Sequence, residues 1–498
     1  MTADLKPYPA YKDSGVPWLG DVPEHWDVLP NRALFTEVEE RGHPDEQMLS
    51  VTITKGVILQ QALLADSSKK DGSNQDKSAY KLVRPGDIAY NKMRAWQGAI
   101  GLSALRGIIS PAYVVQRPRQ GTDPRYLHYL LRTPAFAKEA ERWSYGITSD
   151  MWSLRPEHFK MIYACLPSAL EQSAIVKFLD HIDRRIRRYI RAKQKLIKLL
   201  EEQKQVIIHH PVTRGLDPSV RLKPSGVEWM GNVPEHWEVV ALGKVCTSRC
   251  DGPFGSGLKS VHYTPTGVRV VRLQNIGSGL FRDVDAAFIS DEHYASLGNH
   301  GVIGGDLLVA GLGDENIPVG RACVAPQGIG PAMVKADCFR FRLKPDRVVG
   351  PYLAYHLSAT AAGATAWLST GSTRLRINLS STSARSVALP PLQEQQDIID
   401  YISGQTETLT TAASCIQGEI ALLREYRTRL IADVVTGKLD VREAAARLPD
   451  EADEPETQLD THASIEGEDM ADWEGISEPG YGAEEGPELD GNGREDDL

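Results

Sequence analysis

Apolar residues recur in alternating steps of four and three along two long stretches of the chain. The first stretch runs from about 170 to 208 and the second from Ile398 to Leu430. This spacing is typical of an amphipathic helix with one narrow apolar stripe, and the first stretch predicts a helix roughly 55 Å long at about 1.5 Å per residue. Because such a stripe must be buried, we predict that the two helices pack against each other.

The predicted helix-pair seam consists of the apolar residues at these steps. They are Ile175, Leu179, Ile182, Ile186, Leu196 and Leu200 in the first helix, and Ile398, Ile402, Leu409, Ile416, Leu423 and Leu430 in the second. The alternative is two separate amphipathic helices, each lying on its own domain. The equal lengths and matching seams of the two helices favour the pair.

The segments between the helices have a different pattern. Residues 30–165 and 240–388 contain short apolar runs, such as GIISPAYVVQ (107–116) and DCFRFRLK (337–344), which are broken by Gly and Pro. Short strands separated by turns are typical of a mixed α/β domain. We therefore predict an α+β chain in which two mixed α/β domains alternate with the two long helices.

Several motifs occur twice in the chain. SGVPWLGDVPEHW (14–26) is repeated as SGVEWMGNVPEHW (225–237), and the copies differ at three positions. LPSALEQ and VTRGLD, which flank the first helix, are matched 223 residues later by LPPLQEQ and VTGKLD, which flank the second. The two mixed domains share only short matches, such as Gly-Asp at 86–87 and 305–306. The sequence thus predicts an internal repeat, in which a common scaffold carries two different domains.

Charge separates the chain into a basic body and an acidic end. The net charge is −10, yet residues 450–498 contain 19 Asp and Glu against one Arg, and the rest contains 55 Lys and Arg against 47 Asp and Glu. The basic body favours a polyanionic partner. Since the end lacks apolar periodicity, we predict a disordered acidic tail over 446–498 that solubilises the protein, in preference to a regulatory or nucleic-acid-mimicking segment. The sequence contains neither a long apolar run nor a signal peptide, which predicts a cytoplasmic protein without a membrane span.

The motifs of common catalytic and metal sites are missing from the sequence. The six cysteines form no CxxC, and there is no GxxxxGK[ST], HExxH or GxSxG pattern. Glu24 and His25 of the PEHW motif could form an acid–base pair, but a Pro and an acidic residue at a helix start explain the motif more simply. We therefore predict no catalytic residue and no metal site in this chain.

Runs of basic, amide and aromatic residues in the two mixed domains are suited to DNA. Arg contacts guanine and Asn or Gln contacts adenine in the major groove, while Lys binds phosphate. The candidate contacts of the first domain are Asn91, Lys92, Arg94, Trp96, Gln97, Tyr145, Thr148, Ser149, Trp152 and Arg155. Those of the second are Arg269, Arg272, Gln274, Asn275, Lys335, Ser372, Thr373, Arg374, Arg376 and Asn378. Each run alone is ordinary surface, and their joint presence in two parallel domains favours DNA binding.

The first long helix also contains a basic run, RRIRRYIRAKQK (184–195). A solvated helix face is the ordinary explanation for such a run. The alternative is contact with DNA between two half-sites, or with an acidic partner.

These motifs together resemble the specificity subunit of type I restriction-modification enzymes. The resemblance rests on WLGDVPEHW and WMGNVPEHW, KLVRPGDIAYNKMRAWQGAIG, YGITSDMWSLRPEHF, LRINLSS and LPPLQEQ, and it covers residues 8–447. It implies two target-recognition domains, each of which binds one half of a split sequence in double-stranded DNA. It also implies that the two long helices lie antiparallel, set the spacing between the half-sites and dock two modification subunits.

The resemblance further implies that the chain is a non-catalytic recognition subunit. S-adenosylmethionine, ATP and Mg are then expected in the modification subunits and in the restriction subunits, which carry translocase and nuclease activity, and no cofactor is expected in this chain. The predicted segments are a repeat-motif segment (1–29), a first target-recognition domain (30–167), a central spacer helix (168–221), a second target-recognition domain (222–390, with the repeat motif at 225–237), a C-terminal spacer helix (391–445) and the acidic tail (446–498).

Three other functions remain open at this point. The chain could serve a type IIB-like system, in which a similar subunit pairs with a fused methyltransferase–nuclease, or it could be an orphan DNA-binding protein. It could also be a purely structural coiled-coil protein. Two non-helical domains of roughly 140 residues each, far larger than a structural role requires, argue against the last function.

Overall fold

The computed structural model describes residues 5–65, 76–146, 152–314, 317–368 and 375–449. Five predicted contacts, Thr148, Ser149, Ser372, Thr373 and Arg374, lie outside the described residues, as does most of the predicted tail. The chain divides into two compact units: unit 1 comprises residues 1–188 together with 423–498, and unit 2 comprises residues 189–422.

Unit 1 contains twelve strands among its described residues. They are β1 (Tyr11–Asp13), β2 (Asp21–Pro23), β3 (Asp27–Pro30), β4 (Phe35–Val38), β5 (Leu49–Thr52), β6 (Gly56–Leu59), β7 (Lys81–Val83), β8 (Ile88–Asn91), β9 (Ile100–Leu102), β10 (Gly107–Ile109), β11 (Tyr113–Pro118) and β12 (Tyr163–Leu166). The helices that begin in unit 1 before residue 189 are α1 (Asn31–Leu34), α2 (Gln60–Ala65), α3 (Pro124–Leu131), α4 (Pro134–Arg142), α5 (Pro156–Phe159) and the long α6 (Ala169–Arg214).

The described residues of unit 2 form fifteen strands. They are β13 (Leu222–Pro224), β14 (Asn232–Pro234), β15 (Glu238–Ala241), β16 (Cys246–Cys250), β17 (Tyr263–Thr264), β18 (Val268–Val271), β19 (Phe288–Ile289), β20 (Gly301–Val302), β21 (Leu307–Ala310), β22 (Leu312–Gly313), β23 (Ala322–Val324), β24 (Ala332–Val334), β25 (Cys338–Leu343), β26 (Leu375–Arg376) and β27 (Ser386–Leu389). Its helices are α7 (Asp291–Leu297), α8 (Gly350–Ala359), α9 (Ala361–Leu368), α10 (Leu379–Ala384) and the long α11 (Leu392–Val435), after which α12 (Arg442–Ala446) lies in unit 1. These elements confirm the predicted α+β class.

Each unit is built around a four-stranded antiparallel sheet of the same topology. The order is β4-β11-β8-β9 in unit 1 and β16-β25-β21-β23 in unit 2. Strand β21 shows why such strands appear in the sequence as short apolar runs: Leu307 and Val309 enter one core, and Leu308 and Ala310 enter another on the opposite face. Both faces of the strand are covered, so every position along it is apolar. Unit 2 also contains a five-stranded sheet, β17-β19-β18-β24-β20.

The repeated motif forms the same hydrogen-bonded bracket in each unit. In unit 1, Trp26 Nε1 donates to Glu171 Oε1 over 3.1 Å, and His25 Nε2 lies 2.9 Å from Glu171 Oε2. In unit 2, Trp237 Nε1 donates to Glu394 Oε1 over 3.0 Å, and His236 Nε2 lies 2.7 Å from Glu394 Oε2. The PEHW sequence therefore fastens the start of each long helix to the turn between two short strands, which are β2 and β3 in unit 1 and β14 and β15 in unit 2.

This bracket corrects the interpretation of PEHW as a helix start. Residues 24–26 form a turn between β2 and β3, and Pro23 is the last residue of β2. The imidazole of His25 is positioned by a carboxylate that is itself 4% exposed. A hydrogen bond to a charged group contributes about 1.5–3 kcal/mol net, so the motif has a structural cause.

The Gln that follows each bracket Glu joins the helix start to a domain helix. Gln172 Oε1 accepts from the Asp123 amide over 2.7 Å, beside α3, and Gln395 Oε1 accepts from the Val349 amide over 2.8 Å, beside α8. The side-chain amide of each Gln also donates to the carbonyl oxygen of a proline five residues earlier. The Glu-Gln pairs of the repeat thus hold a mixed domain and a long helix together in each unit.

Unit 1 is completed by residues that are distant in sequence. The backbones of Lys6 and Asp440 form a β-bridge, and the Tyr11 hydroxyl donates to the Gly437 carbonyl oxygen over 3.2 Å. In unit 2 the corresponding VTRGLD segment (212–217) leads directly into β13 along the chain. The two copies of the scaffold therefore differ in chain connection at this point: contacts between distant residues in unit 1 correspond to continuous chain in unit 2.

The long helices run antiparallel within each unit. In unit 1 the thiol of Cys165, just before α6, donates to the Val435 carbonyl oxygen at the end of α11, whereas Asp183 further along α6 pairs with Arg427. In unit 2, Lys193 of α6 pairs with Glu419 of α11, and residues near the end of α6 share a core with the start of α11. The predicted pairing of the two helices is thus present in both units.

The predicted seam has the correct period, but at every second position the buried residue is the one after the predicted residue. Leu196 is 44% exposed, which contradicts its predicted place in the seam, whereas Ile190 is 4% exposed. On α11 the steps of four and three from Ile398 also pass through 405, 412 and 419, whereas the buried positions are Thr406, Ala413 and Ile420. The correct phase includes polar residues such as Asp183, whose carboxylate forms an ion pair with α11, and an apolar-only search therefore rejects it.

The other predicted seam residues differ in burial. Six of them are buried: Ile175, Leu179, Ile186, Ile398, Ile402 and Leu430. Those that are half-buried are Ile182, Leu200, Leu409, Ile416 and Leu423. Leu196 is thus the one predicted seam residue that is exposed.

We predict that truncation of Ile190 destabilises the protein far more than truncation of Leu196. Ile190→Ala leaves a cavity beneath α11 and should lower the free energy of unfolding by about 2–4 kcal/mol, measured by urea denaturation. Leu196→Ala removes a side chain that is already 44% exposed and should cost less than about 0.5 kcal/mol. A larger loss for Leu196→Ala than for Ile190→Ala would contradict the corrected seam.

Candidate nucleic-acid interface

Two of the predicted DNA-binding runs of unit 1 lie side by side. The Leu154 amide donates to the Lys92 carbonyl oxygen over 2.9 Å, and this bond joins the segment before α5 to the turn after β8. The rings of Trp96 and Trp152 meet edge to face, with centroids 5.5 Å apart. Trp96 is fixed by donation from its Nε1 to the Met93 carbonyl oxygen over 3.0 Å. The structure thus brings together residues that are about 55 positions apart in sequence.

The predicted contacts of unit 1 form one surface, which we call loop surface 1. It comprises Asn91, Lys92, Arg94, Trp96 and Gln97 with Tyr145, Trp152 and Arg155. Within it, Asn91 Oδ1 accepts from the Met93 amide over 3.0 Å, so that side chain shapes the turn. Tyr145 is 61% exposed, with its ring centroid 5.0 Å from that of His158. Aromatic faces beside Lys and Arg suit the stacking and phosphate contacts of nucleic-acid recognition.

Unit 2 has an equivalent surface at the same place in its scaffold. The Ile377 amide donates to the Gly311 carbonyl oxygen over 2.9 Å, which corresponds to the Leu154–Lys92 bond of unit 1. Next to it the short strands β22 and β26 pair. We call this region loop surface 2: residues 269–274, 312–314, 317–318, Lys335, Arg376 and Asn378.

The exposed end of loop surface 2 contains two predicted residues with different roles. Arg376 is exposed; its guanidinium forms an ion pair with Asp337 over 2.8 Å and lies 5.8 Å from the Phe254 ring centroid. Asn378 is the N-cap of α10, where its Oδ1 accepts from the Ser381 amide over 2.7 Å. Capping is the ordinary reason for Asn at a helix start, so Arg376 is the better candidate for a DNA contact.

The arginines of the 269–275 run are already paired with carboxylates. Arg269 pairs with Asp283 over 2.7 Å, and Arg272 pairs with Asp285 over 2.5 Å. Gln274 Nε2 donates to the same Asp285 carboxylate. These pairs hold the arginine side chains in fixed positions, and DNA binding would have to exchange carboxylate for phosphate or base partners.

The predicted contact at Asn275 is wrong. Asn275 is fully buried, and its Nδ2 donates to the carbonyl oxygens of Arg282 and Val284 over 3.0 and 2.8 Å. Its Oδ1 accepts from the Arg272 amide over 2.9 Å. The side chain is occupied in stabilising the turn, and a buried amide with satisfied donors and acceptor cannot reach a base.

None of the predicted DNA contacts falls in the segment 312–318 of loop surface 2. It follows β21 as the 91–97 turn follows β8, but its residues, LGDENIP, contain no basic or aromatic side chain. A positional signal was present, because the matched Gly-Asp pairs at 86–87 and 305–306 precede both turns by a similar distance. Alignment on that pair, instead of a search for DNA-like composition, would have located it.

Carboxylates lie close to the cations of loop surface 2. Behind Arg376, burial and the neighbouring Asp337 raise the pKa of Asp251 to about 6. Its Oδ1 accepts from the Gly252 and Asp337 amides over 2.7 and 3.0 Å. Lys335 Nζ lies 5.8 Å from the Tyr263 ring centroid in the same region. Loop surface 2 thus combines its cations with several carboxylates of its own.

The described part of the chain contains neither a cluster of metal-binding side chains nor a membrane-spanning helix. Within residues 5–449, less the gaps given above, His, Cys, Asp and Glu side chains do not assemble in groups of three or more that could hold an ion. None of the helices described there has the length and apolarity to cross a membrane.

Known proteins with similar sequences span nearly the whole chain. A putative type I restriction enzyme MjaX specificity subunit of Methanocaldococcus jannaschii is 22% identical over 447 residues, which cover 85% of this chain and 96% of that protein. The type I restriction enzyme StySPI specificity subunit of Salmonella potsdam is 21% identical over 458 residues, covering 84% and 94%. No protein-family model matches the chain.

The chain is homologous to specificity subunits of type I restriction enzymes. A solved chain from a study of complex assembly and conformational transition in the type I R-M system has the same fold, with a TM-score of 0.56 at 18% identity over 84% of this chain and 99% of that one. The resemblance that the repeated motifs indicated is therefore confirmed, and so is the α+β fold class.

We predict that Asp251→Asn stabilises the protein near neutral pH. The raised pKa means that the folded state binds more protons than the unfolded state between pH 3.8 and about 6, so the charged carboxylate lowers stability above pH 6. The asparagine retains the oxygen that accepts both amides. Allowing for partial exposure, the free energy of unfolding should rise by about 1–2 kcal/mol at pH 7.5, and this gain should vanish as the pH approaches 4.

The control for this variant is Asp283→Asn, which neutralises a carboxylate that is 76% exposed and paired with Arg269. It should give no stabilisation at either pH. Thermal melts of both variants at pH 7.5 and pH 4 provide the comparison, and a lower melting temperature for Asp251→Asn at pH 7.5 would refute the assignment.

Proposed function

We propose that this chain is the sequence-specific DNA-binding specificity subunit of a type I restriction-modification system, in which each unit recognises one half of a bipartite target. The observation that carries the proposal is the duplicated bracket. Glu171 and Glu394 make the same bonds to the same motif, while the loop surfaces above them share almost no residues. A constant scaffold with two variable surfaces is what recognition of two different half-sites requires.

Phosphate contacts supply much of the affinity in this proposal. We assign phosphate contacts to Lys92, Arg94 and Arg155 of loop surface 1 and to Arg376 and Lys335 of loop surface 2. Binding through them should weaken steeply as salt rises, because each phosphate contact releases condensed counterions. Trp96, Trp152 and the turn at 312–318 would then contribute to discrimination between bases.

Modification subunits are the proposed partners of the long helices. On α6 of unit 2, Leu196, Leu199 and Val206 are 44%, 51% and 71% exposed and lie at steps of three and seven. Together with Tyr189, 53% exposed, they form a second apolar stripe on the side of α6 opposite its buried seam. An exposed stripe of coiled-coil spacing suits a helix of a partner protein.

The chemistry of the system belongs to the partners in this proposal. The modification subunits would bind S-adenosylmethionine, and the restriction subunits would use ATP and Mg to translocate and cleave DNA. This chain would act in the cytoplasm as the non-catalytic component that selects the sequence. A type IIB-like enzyme, with methyltransferase and nuclease fused in one partner, would use the same surfaces.

The proposal is tested by co-expression with the adjacent methyltransferase genes, followed by genome-wide mapping of methylated adenines. We expect one split motif, with methylation in both halves and a fixed gap between them. Methylation that is absent, or confined to an unbroken sequence, would contradict the proposal. A neighbouring gene for a fused methyltransferase–nuclease would indicate the type IIB-like system, and a chain that purifies alone, without such neighbours, would indicate an orphan DNA-binding protein.

We predict that Val206→Glu prevents assembly with the modification subunits without lowering the stability of this chain. Val206 is 71% exposed, so a charge there should change the melting temperature little, while it would be buried in the proposed contact. Co-purification from cells that express both proteins should fall at least about tenfold. The matched control is Gln205→Glu, which adds the same single negative charge at an exposed position of α6 outside the stripe and should leave assembly unchanged. Equal loss for both variants would exclude the stripe as the docking surface.

A further inference from the structure

One arginine outside the predicted contacts binds the backbone where the 91–97 turn of loop surface 1 ends: Arg132 Nη1 donates to the Gly98 carbonyl oxygen over 3.5 Å. Arg132 directly follows α3, and its guanidinium donates from Nη1 to the Ile100 carbonyl oxygen over 2.6 Å. Nη2 donates to the carbonyl oxygens of Ile53 and Thr54 over 2.7 and 2.6 Å. One side chain therefore joins the turn between β5 and β6 to strand β9, which begins three residues after Gln97.

A second arginine does the same in loop surface 2. Arg321 is 6% exposed; its Nε donates to the Ile276 carbonyl oxygen over 2.7 Å, and its Nη2 donates to the Leu273 carbonyl oxygen over 2.9 Å. Its Nη1 lies 3.1 Å from the carbonyl oxygens of both Leu312 and Pro318. Arg321 thus joins the turn that presents Arg272 and Gln274 to the turn at 312–318.

The chemistry of these contacts requires a guanidinium. Its five N–H donors lie in a fixed planar fork, which allows one group to bind carbonyl oxygens on two separate turns. A lysine ammonium is a single point and cannot span them. Burial lowers the pKa of Arg321, which is the cost of keeping this charge inside the unit, and the four carbonyl contacts offset that cost.

The two arginines are not copies of each other. Arg132 lies six residues after Tyr126, whereas the residue six positions after the matching Tyr352 is Ser358, which bonds to the backbone of Ala322. Unit 2 instead places its arginine on the segment that enters β23. The two arginines therefore stand at non-equivalent positions of the scaffold, unlike the duplicated bracket.

We propose that Arg132 and Arg321 are positioning residues for DNA recognition, each of which fixes the loop surface of its own unit and thereby sets base discrimination in one half-site. This inference rests on the proposed function. Neither residue contacts a base itself. Each acts through the turns that it holds, because contacts to base edges discriminate only when their supporting loops are held in place.

The test uses the full chain in complex with its modification subunits, carrying Arg132→Lys or Arg321→Lys. The substrates are the mapped bipartite site and versions of it altered at one base in either half. The measurement is the ratio of methylation rates on the intact and altered sites. Arg132→Lys should lower this ratio at least about tenfold for changes in one half-site, and Arg321→Lys should lower it for changes in the other half-site only. The unaffected half-site in each variant shows that the complex is folded and assembled.

Matched controls come from an arginine that both units place in the scaffold. Arg117 pairs through two nitrogens with Asp87, and Arg342 pairs in the same way with Asp306; both carboxylates are 2% exposed. Arg117→Lys and Arg342→Lys should lower the melting temperature but leave both ratios unchanged. If a lysine variant does not assemble, Arg132→Gln and Arg321→Gln, which keep part of the donor set, take its place.

The outcomes separate this inference from the proposed function. Unchanged ratios, equal losses at both half-sites, or half-site losses in the scaffold controls would overturn the positioning role while the wild-type complex still methylates a split site. A wild-type complex that methylates no split site would instead overturn the proposed function.

Discussion

The architecture depends on the hydrogen bonds between the carboxylate at the start of each long helix and the repeated motif. Glu171 and Glu394 each accept from a tryptophan indole and face a histidine imidazole of the repeated motif. Removing either carboxylate would leave a buried indole N–H without a partner, a loss that a neighbouring apolar contact cannot replace. The long helix, the short strands beside the repeated motif and the mixed domain of a unit all meet at this point. It is therefore the part of the sequence that can change least, and it is the part that occurs twice.

A rigid frame at the base of each unit frees the loops at its edge to diverge. The four-stranded sheets keep one topology, yet one loop surface presents a pair of tryptophans and the other presents arginines paired with carboxylates. The loops are held by different arginines, Arg132 in unit 1 and Arg321 in unit 2, each of which binds backbone carbonyl oxygens. Shape is thus shared at the duplicated brackets and in the sheet topology, and it differs at the loop surfaces.

The sequence was sufficient for the parts of the fold that repeat or have a strict period. The two long helices, the duplicated motifs and the short buried strands each left a pattern that could be recognised without coordinates. The sequence did not reveal which residue is buried at every second step, because a step of four followed by three and a step of three followed by four both follow the same helix face. The choice depends on polar pairs such as Asp183 with Arg427, which a search for apolar residues passes over.

The loop surfaces were harder to predict, for a different reason. Residue type identified Arg376 and Trp96 as candidates, but it could not separate an exposed arginine from a capping Asn378 or a buried Asn275. An amide side chain is equally suited to a base edge and to a turn, and only the positions of neighbouring carbonyl oxygens decide between them. Arg132 and Arg321 were missed because their role lies in backbone contacts, which leave no motif.

The bridge between Lys6 and Asp440 has a consequence for biosynthesis. Unit 2 is built from one continuous stretch, 189–422, whereas unit 1 needs residues from before 189 and after 422. During translation unit 2 can therefore fold before unit 1, because unit 1 needs the last turns of α11. A chain that ends before residue 423 would contain a complete unit 2 and an incomplete unit 1, so the bridge to Lys6 can form only after Asp440 has been made.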